Sequence, residues 1–227
     1  MSEACLIVGV GDGLSASLAR LFAAEGYALY LVARDTDKLE NLAKDTGASL
    51  FKADATDVDA IRSIIAAIEG PLTVAIYNPS ARSRGPITDL DPDDVRRSLD
   101  VTAFGSFVTA QAAAQRMLDN DGAVKGTILF TGASAGVKGF PQSAPFAMGK
   151  FAQRGLAQSM SRELHPKGIH IAWVNIDGAI RNPGTTESRP DAMLNPDAIA
   201  RTYLELVRQD RSTWSNELAL RPWVEGF

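Results

Sequence analysis

The sequence has little of what disulfide scaffolds, metal sites and nucleic-acid-binding surfaces require. Cys5 is the only cysteine, which excludes an internal disulfide and is typical of proteins in a reducing compartment. The two histidines, His165 and His170, have no cysteine or carboxylate cluster at metal-ligand spacing, so no metal site is predicted. The formal net charge of -4 favours neither nucleic acid nor an anionic membrane as a partner.

Long hydrophobic runs are also missing. The first apolar run, residues 6–10, is too short for a signal peptide or a spanning helix, and no basic segment precedes it. We therefore expect a cytoplasmic protein that does not associate with membranes. No repeat, charge run or low-complexity linker divides the sequence, so residues 1–227 are predicted to form a single dinucleotide-binding Rossmann domain.

What the sequence does contain is a regular alternation of strand-like and helix-like patterns. Short apolar runs predict strands that are buried in a parallel sheet, and apolar residues three and four apart predict helices. The predicted strands span residues 4–8, 28–33, 49–52, 72–77, 127–131, 169–176 and 214–220, and the predicted helices span residues 14–25, 36–44, 58–68, 92–118, 143–165 and 195–209. Repeated βα units with right-handed crossovers indicate an α/β fold with a doubly wound parallel sheet, the three-layer αβα Rossmann architecture.

A glycine-rich segment follows the first predicted strand. It contains Gly9, Gly11 and Gly13 and leads through Leu14 into the first helix. Glycines at a strand-to-helix turn let the backbone approach a pyrophosphate, which then lies over the positive end of the helix. At the start of a series of βα units, these four residues are predicted to bind a dinucleotide; a tight turn without a ligand is the alternative.

This segment, and nearly the whole chain, resembles the short-chain dehydrogenase/reductase family. The family's loop reads Thr-Gly-x-x-x-Gly-x-Gly, in which Gly9 and Gly13 match the first two glycines and Ser15 replaces the third. The resemblance implies hydride transfer to or from a small-molecule carbonyl or alcohol substrate. It also implies a homodimer or homotetramer, assembled through the two long helices. Small residues on those helices would permit close approach: Ala103, Gly105, Ala112, Ala147 and Gly149.

The end of the second strand bears on the cofactor. Relatives that prefer NAD place an acidic residue there, whereas this chain has Ala33 and Arg34. Because a guanidinium pairs with a 2′-phosphate, NADP is favoured over NAD, with Arg34 as a plain loop residue as the alternative. Asp54, followed by Ala55, matches the family position that meets the adenine edge, although a cap of the next helix is an equal alternative for Asp54.

Two further segments match the cofactor site of the family. Asn78 keeps the amide of the Asn-Asn-Ala-Gly segment that lines the cofactor, while Pro79 and Ser80 depart from that pattern. After the sixth strand, Gly178 and Ile180 lie in the segment whose backbone contacts the nicotinamide amide in the family.

The catalytic pair of the family is Tyr-x-x-x-Lys, with both side chains one helical turn apart and facing the same cleft. The lysine binds the nicotinamide ribose, and the tyrosine moves a proton to or from the substrate oxygen. Here Phe146 and Lys150 hold these positions, so the lysine is kept and the hydroxyl is lost. Phe146 therefore predicts an atypical subgroup with a degenerate catalytic tetrad. Lys150 as a solvated helix residue is the alternative.

Three more positions differ from the family's catalytic site. The substrate-binding serine aligns with Ala133, so that Ser134 lies one residue away, and the catalytic asparagine aligns with Thr102. Asp177 replaces the proline of Asn-x-x-x-Pro-Gly. We interpret Asp177 either as a substitute acid near the nicotinamide or, as the more ordinary alternative, as a turn residue before Gly178.

These features support two functions. The first is an NADPH-dependent oxidoreductase that uses water, Ser134 or Asp177 in place of the tyrosine, and the second is a catalytically inactive NADP-binding protein acting as a sensor or partner subunit. Residues 181–195 occupy the place of the substrate lid, where Arg181 and Arg189 suit an anionic substrate or are plain surface residues. At the end of the chain, the aromatic residues at 214 and 223 are expected to be buried against another element or subunit.

Overall fold

The computed structural model describes residues 2–225 and shows one parallel sheet of seven strands in the order β3-β2-β1-β4-β5-β6-β7. The strands are Ala4–Val8 (β1), Ala28–Ala33 (β2), Ser49–Lys52 (β3), Leu72–Tyr77 (β4), Gly126–Thr131 (β5), Ile169–Ile176 (β6) and Glu217–Leu220 (β7). The direction of winding reverses between β1 and β4, which opens a crevice at the carboxyl ends of these strands. The predicted doubly wound sheet is confirmed.

Seven helices cover the two faces of the sheet in the described part of the chain. They are Leu14–Ala24 (α1), Glu40–Thr46 (α2), Val58–Ala66 (α3), Pro92–Leu99 (α4), Gly105–Leu118 (α5), Ala144–Leu164 (α6) and Pro196–Val207 (α7). Apolar side chains of α3, α5 and α6 form one core with the sheet, and those of α1, α2 and α7 form the other. These two cores give the three-layer αβα architecture that the sequence predicts.

Side-chain caps fix where three of the described helices begin, namely α3, capped by Asp57, and α4 and α7. Asp91 accepts a hydrogen bond from the backbone N–H of Asp93 at 2.8 Å, and Pro92 takes the first position of α4. Asn195 caps α7 in the same way, through the N–H of Asp197 at 2.8 Å.

The predicted helix over residues 92–118 is interrupted in its middle. A π-helical turn, Asp100–Phe104, separates α4 from α5. The carbonyl of Val101 in this turn accepts a hydrogen bond from the hydroxyl of Tyr77 at the end of β4. Because that carbonyl is bonded to a side chain from the sheet, the regular helical pattern is locally altered, and π-turns of this kind are frequent at functional sites.

The C-terminal region differs most from the prediction. The last strand begins at Glu217, because the segment before it forms a tight turn in which the indole N–H of Trp214 donates to the carbonyl of Gln209 at 3.2 Å. Trp214 is partly buried and stacks on His170 with ring centroids 4.9 Å apart. Trp223 is 81% exposed, so the expectation that it packs against another element is wrong within this chain. Its indole N–H donates to Asp191 at 3.2 Å.

No helix among residues 2–225 is long and apolar enough to cross a membrane.

Candidate functional site

A continuous cleft lies at the carboxyl ends of the adjacent strands β1 and β4, where the chain leaves them toward opposite faces of the sheet. Its inner cavity, about 720 Å³, lies between the glycine loop (residues 9–13) and the start of α6, and its outer cavity, about 680 Å³, lies between the glycine loop and the ends of β2 and β3. The two cavities share Gly9, Gly11, Asn78 and Ser80 as lining residues, so they form one site. Its position is where doubly wound sheets bind their ligands.

The glycine loop separates the two cavities and requires glycine at its first position. Gly9 has φ +83, and a Cβ atom there would lie 2.5 Å from Cγ of Pro79. Gly13 begins α1 without a side-chain cap, and both Gly13 and Leu14 line the inner cavity. The first N–H groups of a helix have no partner within the helix, so this uncapped end suits a negatively charged ligand group.

Ser15, which stands in place of the third glycine of the family motif, has a structural role. Its buried hydroxyl donates to the carbonyl of Gly9 at 3.0 Å and accepts from the amide of Asn78 at 2.6 Å. The serine thereby links the glycine loop to the end of β4. This role depends on a contact between distant parts of the chain, and the motif comparison alone did not predict it.

The outer cavity is lined by three acidic residues, Asp12, Asp35 and Asp54, and by three basic ones, Arg34, Lys38 and Arg97. Arg34 and Ala55 line it, together with Arg97 and an ion pair between Lys38 and Asp35 at 3.0 Å. Lys38 pairs with Asp35, whereas Arg34, at the end of β2, makes no hydrogen bond or ion pair with any described residue, although its charge acts on Asp54. This arrangement suits a phosphate better than a neutral hydroxyl group.

Asp54 also lines the outer cavity and is held by its own turn. Its carboxylate accepts hydrogen bonds from the backbone N–H of Thr56 at 3.0 Å and from the Thr56 hydroxyl at 2.8 Å. These bonds, with the charges of two nearby arginines, lower the pKa of Asp54 despite partial burial. The alternative that Asp54 caps the next helix is wrong, because Asp57 caps α3 through the N–H of Ala60.

Lys150 is buried on the floor of the inner cavity. Only 2% of the residue is exposed, and its Nζ donates to the carbonyl of Thr131 at 2.5 Å and to Oε1 of Gln153 at 3.3 Å. Burial, followed by the charge of Arg82, lowers the pKa of Lys150 to about 7. The alternative that Lys150 is a solvated helix residue is therefore wrong.

Phe146 lies one helical turn before Lys150 and forms the wall of the same cavity. The ring is buried, its centroid is 6.0 Å from Nζ of Lys150, and the guanidinium carbon of Arg82 lies 4.0 Å from it. The phenyl ring thus contacts a cation where the family has a proton donor. Sequence reasoning missed Arg82 and Arg84; their only signal was two closely spaced arginines after Asn78.

The structure brings Ser134 and Asp177 together, but Asp177 does not act as a proton donor there. Ala133 and Ser134 both line the inner cavity. Burial would raise the pKa of Asp177, but hydrogen bonds from Ser134 and Arg221 outweigh it and lower that pKa. Arg221 also donates from Nε to the carboxylate at 2.8 Å. An ionised carboxylate has no proton to give, so Asp177 is not a proton donor at neutral pH.

Thr102 is fully buried in the π-helical turn and does not line either cavity. Its hydroxyl accepts from the backbone N–H of Ala81 at 3.2 Å. A Cβ atom on Gly149 would lie 2.8 Å from Cβ of Thr102, so the threonine also packs against α6. Thr102 therefore holds the loop that carries Arg82.

The segment after β6 closes the inner cavity on the side of α1. Gly178 and Ile180 line that cavity together with Asn182, whose side chain contacts Gly13. Ile180 also pairs with Leu194 in an isolated bridge. The start of the predicted lid is therefore fixed against the glycine loop.

The two arginines expected in the lid are engaged elsewhere. Arg181 pairs with Glu187 at 3.7 Å, and Arg189 donates to the carbonyl of Val224 at 2.7 Å. Neither residue lines the inner or the outer cavity. Across residues 2–225 no group of three His, Cys, Asp or Glu side chains is placed to hold a metal ion.

Comparison with known proteins agrees with this geometry. A family model described as short chain dehydrogenase matches residues 3–202. An uncharacterised oxidoreductase of Staphylococcus aureus (strain N315) is 26% identical over 226 residues, which is 96% of each chain. Sorbitol-6-phosphate 2-dehydrogenase of Escherichia coli (strain K12) is 25% identical over 221 residues, covering 91% of this chain and 85% of that protein.

Solved structures give the same match. A short-chain dehydrogenase from Rhodopseudomonas palustris is 32% identical with a TM-score of 0.83, covering 97% of this chain and 99% of that chain. A metagenomic short-chain oxidoreductase in complex with NADP is 23% identical with a TM-score of 0.84, covering 99% of both chains.

Proposed function

Because the chain belongs to the short-chain dehydrogenase family, we propose that it is an NADP-dependent oxidoreductase acting on a small carbonyl or alcohol compound. The observation that carries this proposal is the buried Lys150 in a cleft that extends to both sides of the glycine loop. We also propose that residues 1–227 form one dinucleotide-binding domain of an atypical subgroup with Phe146. The cytoplasmic location expected from the sequence stays a prediction.

The cleft fits a dinucleotide. The uncapped end of α1 and the glycine at position 9 suit a pyrophosphate, and a cavity lies on each side of them. The residues that would hold NADP follow from this division: Gly9, Gly11, Gly13 and Leu14 at the pyrophosphate, Arg34, Asp54 and Ala55 at the adenosine half, and Asn78, Lys150, Gly178 and Ile180 at the nicotinamide half. When bound, the reduced nicotinamide supplies a hydride.

Arg34 supports NADP over NAD, because its guanidinium is available to a 2′-phosphate and no carboxylate occupies its place at the end of β2. A solved structure with the same fold holds NADP, which supports the choice without deciding it. NAD is the alternative.

We assign Lys150 as the donor of the proton that the carbonyl oxygen receives. Phe146 has none to donate, and Asp177 is ionised and holds the hydroxyl proton of Ser134. Nζ of Lys150, with a pKa of about 7, carries a transferable proton at neutral pH. When a bound cofactor reduces the carbonyl carbon, Nζ of Lys150 would give its proton to the carbonyl oxygen, which takes up the π electron pair of the C=O bond. Lys150 is left neutral and regains a proton from solvent.

A turnover assay tests this function. The pure protein with NADPH should reduce members of a panel of aldehydes, ketones and oxo acids, and Lys150→Met should lower the rate by about 100-fold or more. Lys44→Met is the matched control, because Lys44 is an exposed lysine on α2 that lines neither cavity, and it should keep the full rate. Equal rates for the wild type and Lys150→Met would contradict the assigned role.

One observation favours a second function, a catalytically inactive NADP-binding sensor or partner subunit. Phe146 removes the proton donor of the family, and the ion pair with Arg221 removes the substitute acid. Such a protein would bind NADPH but turn over nothing. Phe146→Tyr separates the two functions: the variant should gain rate over a measurable wild-type activity if the chain is an enzyme, and the wild type should show no activity at all if it is a sensor.

We propose a homodimer or homotetramer assembled through α5 and α6. The small residues expected at the contact do not all face outward: Gly105 lies against Tyr77 and Gly149 lies against Thr102 within the chain. Large apolar side chains on the outer faces of the helical layer are exposed instead: Phe104, Phe107, Met148 and Phe151. Exposed apolar side chains on neighbouring helices are typical of a subunit interface.

A further inference from the structure

Two arginines of the inner cavity have no ligand in the function proposed above. Arg82 and Arg84 lie on the loop after β4, and both line the inner cavity with exposed side chains. Neither makes a hydrogen bond or an ion pair with any residue in the range 2–225. Their charges are therefore available to a ligand.

The inner cavity gives these charges no counter-ion. Its lining residues include Arg82, Arg84 and Lys150 but, among the described residues, no aspartate or glutamate. The three cations repel one another. Arg82 is only partly exposed, and its pKa is lowered first by desolvation and then by the charge of Arg84, while Arg82 contributes to the lowered pKa of Lys150. An anion placed among them would be attracted by all three, in surroundings that screen charge less than bulk water.

The structure also holds Arg82 in place. Its guanidinium lies over the ring of Phe146 at 4.0 Å, and the backbone just before it is fixed by the hydrogen bond from Ala81 to Thr102. A guanidinium that stacks on an aromatic ring keeps its N–H edges free for a carboxylate or phosphate. Phe146 thus serves as a platform for Arg82, a role that needs the ring but not the hydroxyl.

We propose that Arg82 and Arg84 bind an oxyanion group, a carboxylate or a phosphate, of the carbonyl substrate. The subsite lies beside Phe146 and Lys150, so the anionic group is held close to where the carbonyl meets the proton donor. The substrate class rests on the proposed oxidoreductase function, whereas the anion subsite itself does not. The lid arginines that the sequence suggested for this role are paired with Glu187 and the carbonyl of Val224.

Calorimetric titration with two simple probes tests the subsite. Oxalate and inorganic phosphate are titrated into the protein saturated with NADP⁺, so that phosphate sites of the cofactor are filled, and into the protein alone. At least one probe should bind. Arg82→Met and Arg84→Met should each lower the affinity for that probe by about tenfold or more. The probe that binds more tightly distinguishes a carboxylate from a phosphate.

Three further variants separate the subsite from general effects. Phe146→Leu removes the platform and should lower the affinity for the probe. Phe146→Tyr keeps the ring and should keep that affinity. Arg201→Met removes an exposed arginine on α7 that lines neither cavity, and it should leave the affinity unchanged. Binding of neither probe, or an unchanged affinity in both Arg82→Met and Arg84→Met, would overturn the proposal.

The two proposals fail separately. If NADPH does not bind the wild type, the oxidoreductase function falls, while the titration into the protein alone still tests the subsite. If NADPH binds but neither anion does, only the subsite falls. With NADPH present, an oxo acid should be reduced at least about tenfold more efficiently than its methyl ester, and Arg82→Met should remove that preference.

Discussion

At the scale of single residues, the replacement of a tyrosine by Phe146 changes both the proton chemistry and the electrostatics of the cleft. The phenyl ring donates no proton, yet it places the guanidinium of Arg82 close to Lys150. Burial and this neighbouring charge lower the pKa of Lys150 to about 7. The lysine therefore titrates near neutral pH in the protein without ligand, which the amino-acid pattern alone does not reveal.

The first prediction concerns stability against pH. The folded pKa of Lys150, about 7, lies below the ordinary lysine value of 10.5, so the unfolded chain binds more protons between these two pH values. The contribution of Lys150 to stability should then rise with pH, by up to about 1.4 kcal/mol per pH unit, from neutral pH upward. Denaturant unfolding between about pH 6 and about pH 9, which covers the lower part of that range, should show this slope in the wild type.

Lys150→Met is the control for that slope. The variant has no titrating amine at this position, so its unfolding free energy relative to that of the wild type should fall as the pH rises. A difference between the two proteins that stays constant with pH would mean that Lys150 keeps an ordinary pKa.

Arg34 carries the second prediction, on cofactor choice. Arg34→Ala should weaken the binding of NADPH by about tenfold or more, because a charge-assisted contact with the 2′-phosphate is lost. The affinity for NADH should stay unchanged. Arg20→Ala, an exposed arginine on α1 outside both cavities, is the matched control. An equal loss for both cofactors would show that Arg34 does not recognise the phosphate. The comparison is made by calorimetric titration.

The sequence predicts some site residues and misses others for a physical reason. The glycine loop and the spacing of Phe146 and Lys150 are local patterns, and local patterns can be read directly. Arg82 meets Phe146 only because the loop after β4 and the start of α6 converge above the sheet. The ion pair that keeps Asp177 ionised likewise depends on Arg221 after the last strand, so neither contact has a local signal.

At the scale of elements, the glycine loop shows how one backbone conformation shapes the site. Gly9→Ala should lower the stability of the fold by about 1–3 kcal/mol, since φ +83 is unfavourable for alanine and the new methyl group would clash with Pro79. Thermal unfolding measures the loss. Gly11→Ala is the control, because no atom lies within 4 Å of a Cβ built there, and its melting temperature should change little. Equal melting temperatures for both variants would contradict this account.

The strands were predictable because most of them are buried on both faces and read as continuous apolar runs. Ala4–Val8 and Leu72–Tyr77 match their predicted bounds. The π-helical turn Asp100–Phe104 was not predictable, since it accompanies a hydrogen bond from Tyr77 on a neighbouring layer. The last strand is shorter than predicted because the turn around Trp214 satisfies backbone groups outside the sheet.

At the scale of the whole molecule, an apolar helical surface predicts self-association. Size-exclusion chromatography with light scattering at micromolar concentration should give a dimer or a tetramer. Phe107→Asp combined with Phe151→Asp should dissociate it, because both side chains are exposed on the helices of the proposed interface. Val124→Asp, exposed in the turn before β5, is the control and should not. A monomeric wild type would overturn the proposed assembly.

The placement of the cleft at the reversal of strand order connects the fold to the proposed function. The inner and outer cavities, the uncapped end of α1 and the buried Lys150 all meet at this point. The central claim is that they bind NADP together.

Calorimetric titration of NADPH and NADH into the wild type and Lys150→Ala tests this claim most directly. The account predicts micromolar binding of NADPH, weaker binding of NADH, and a loss of NADPH affinity in Lys150→Ala. Failure of both cofactors to bind the folded wild type would contradict it.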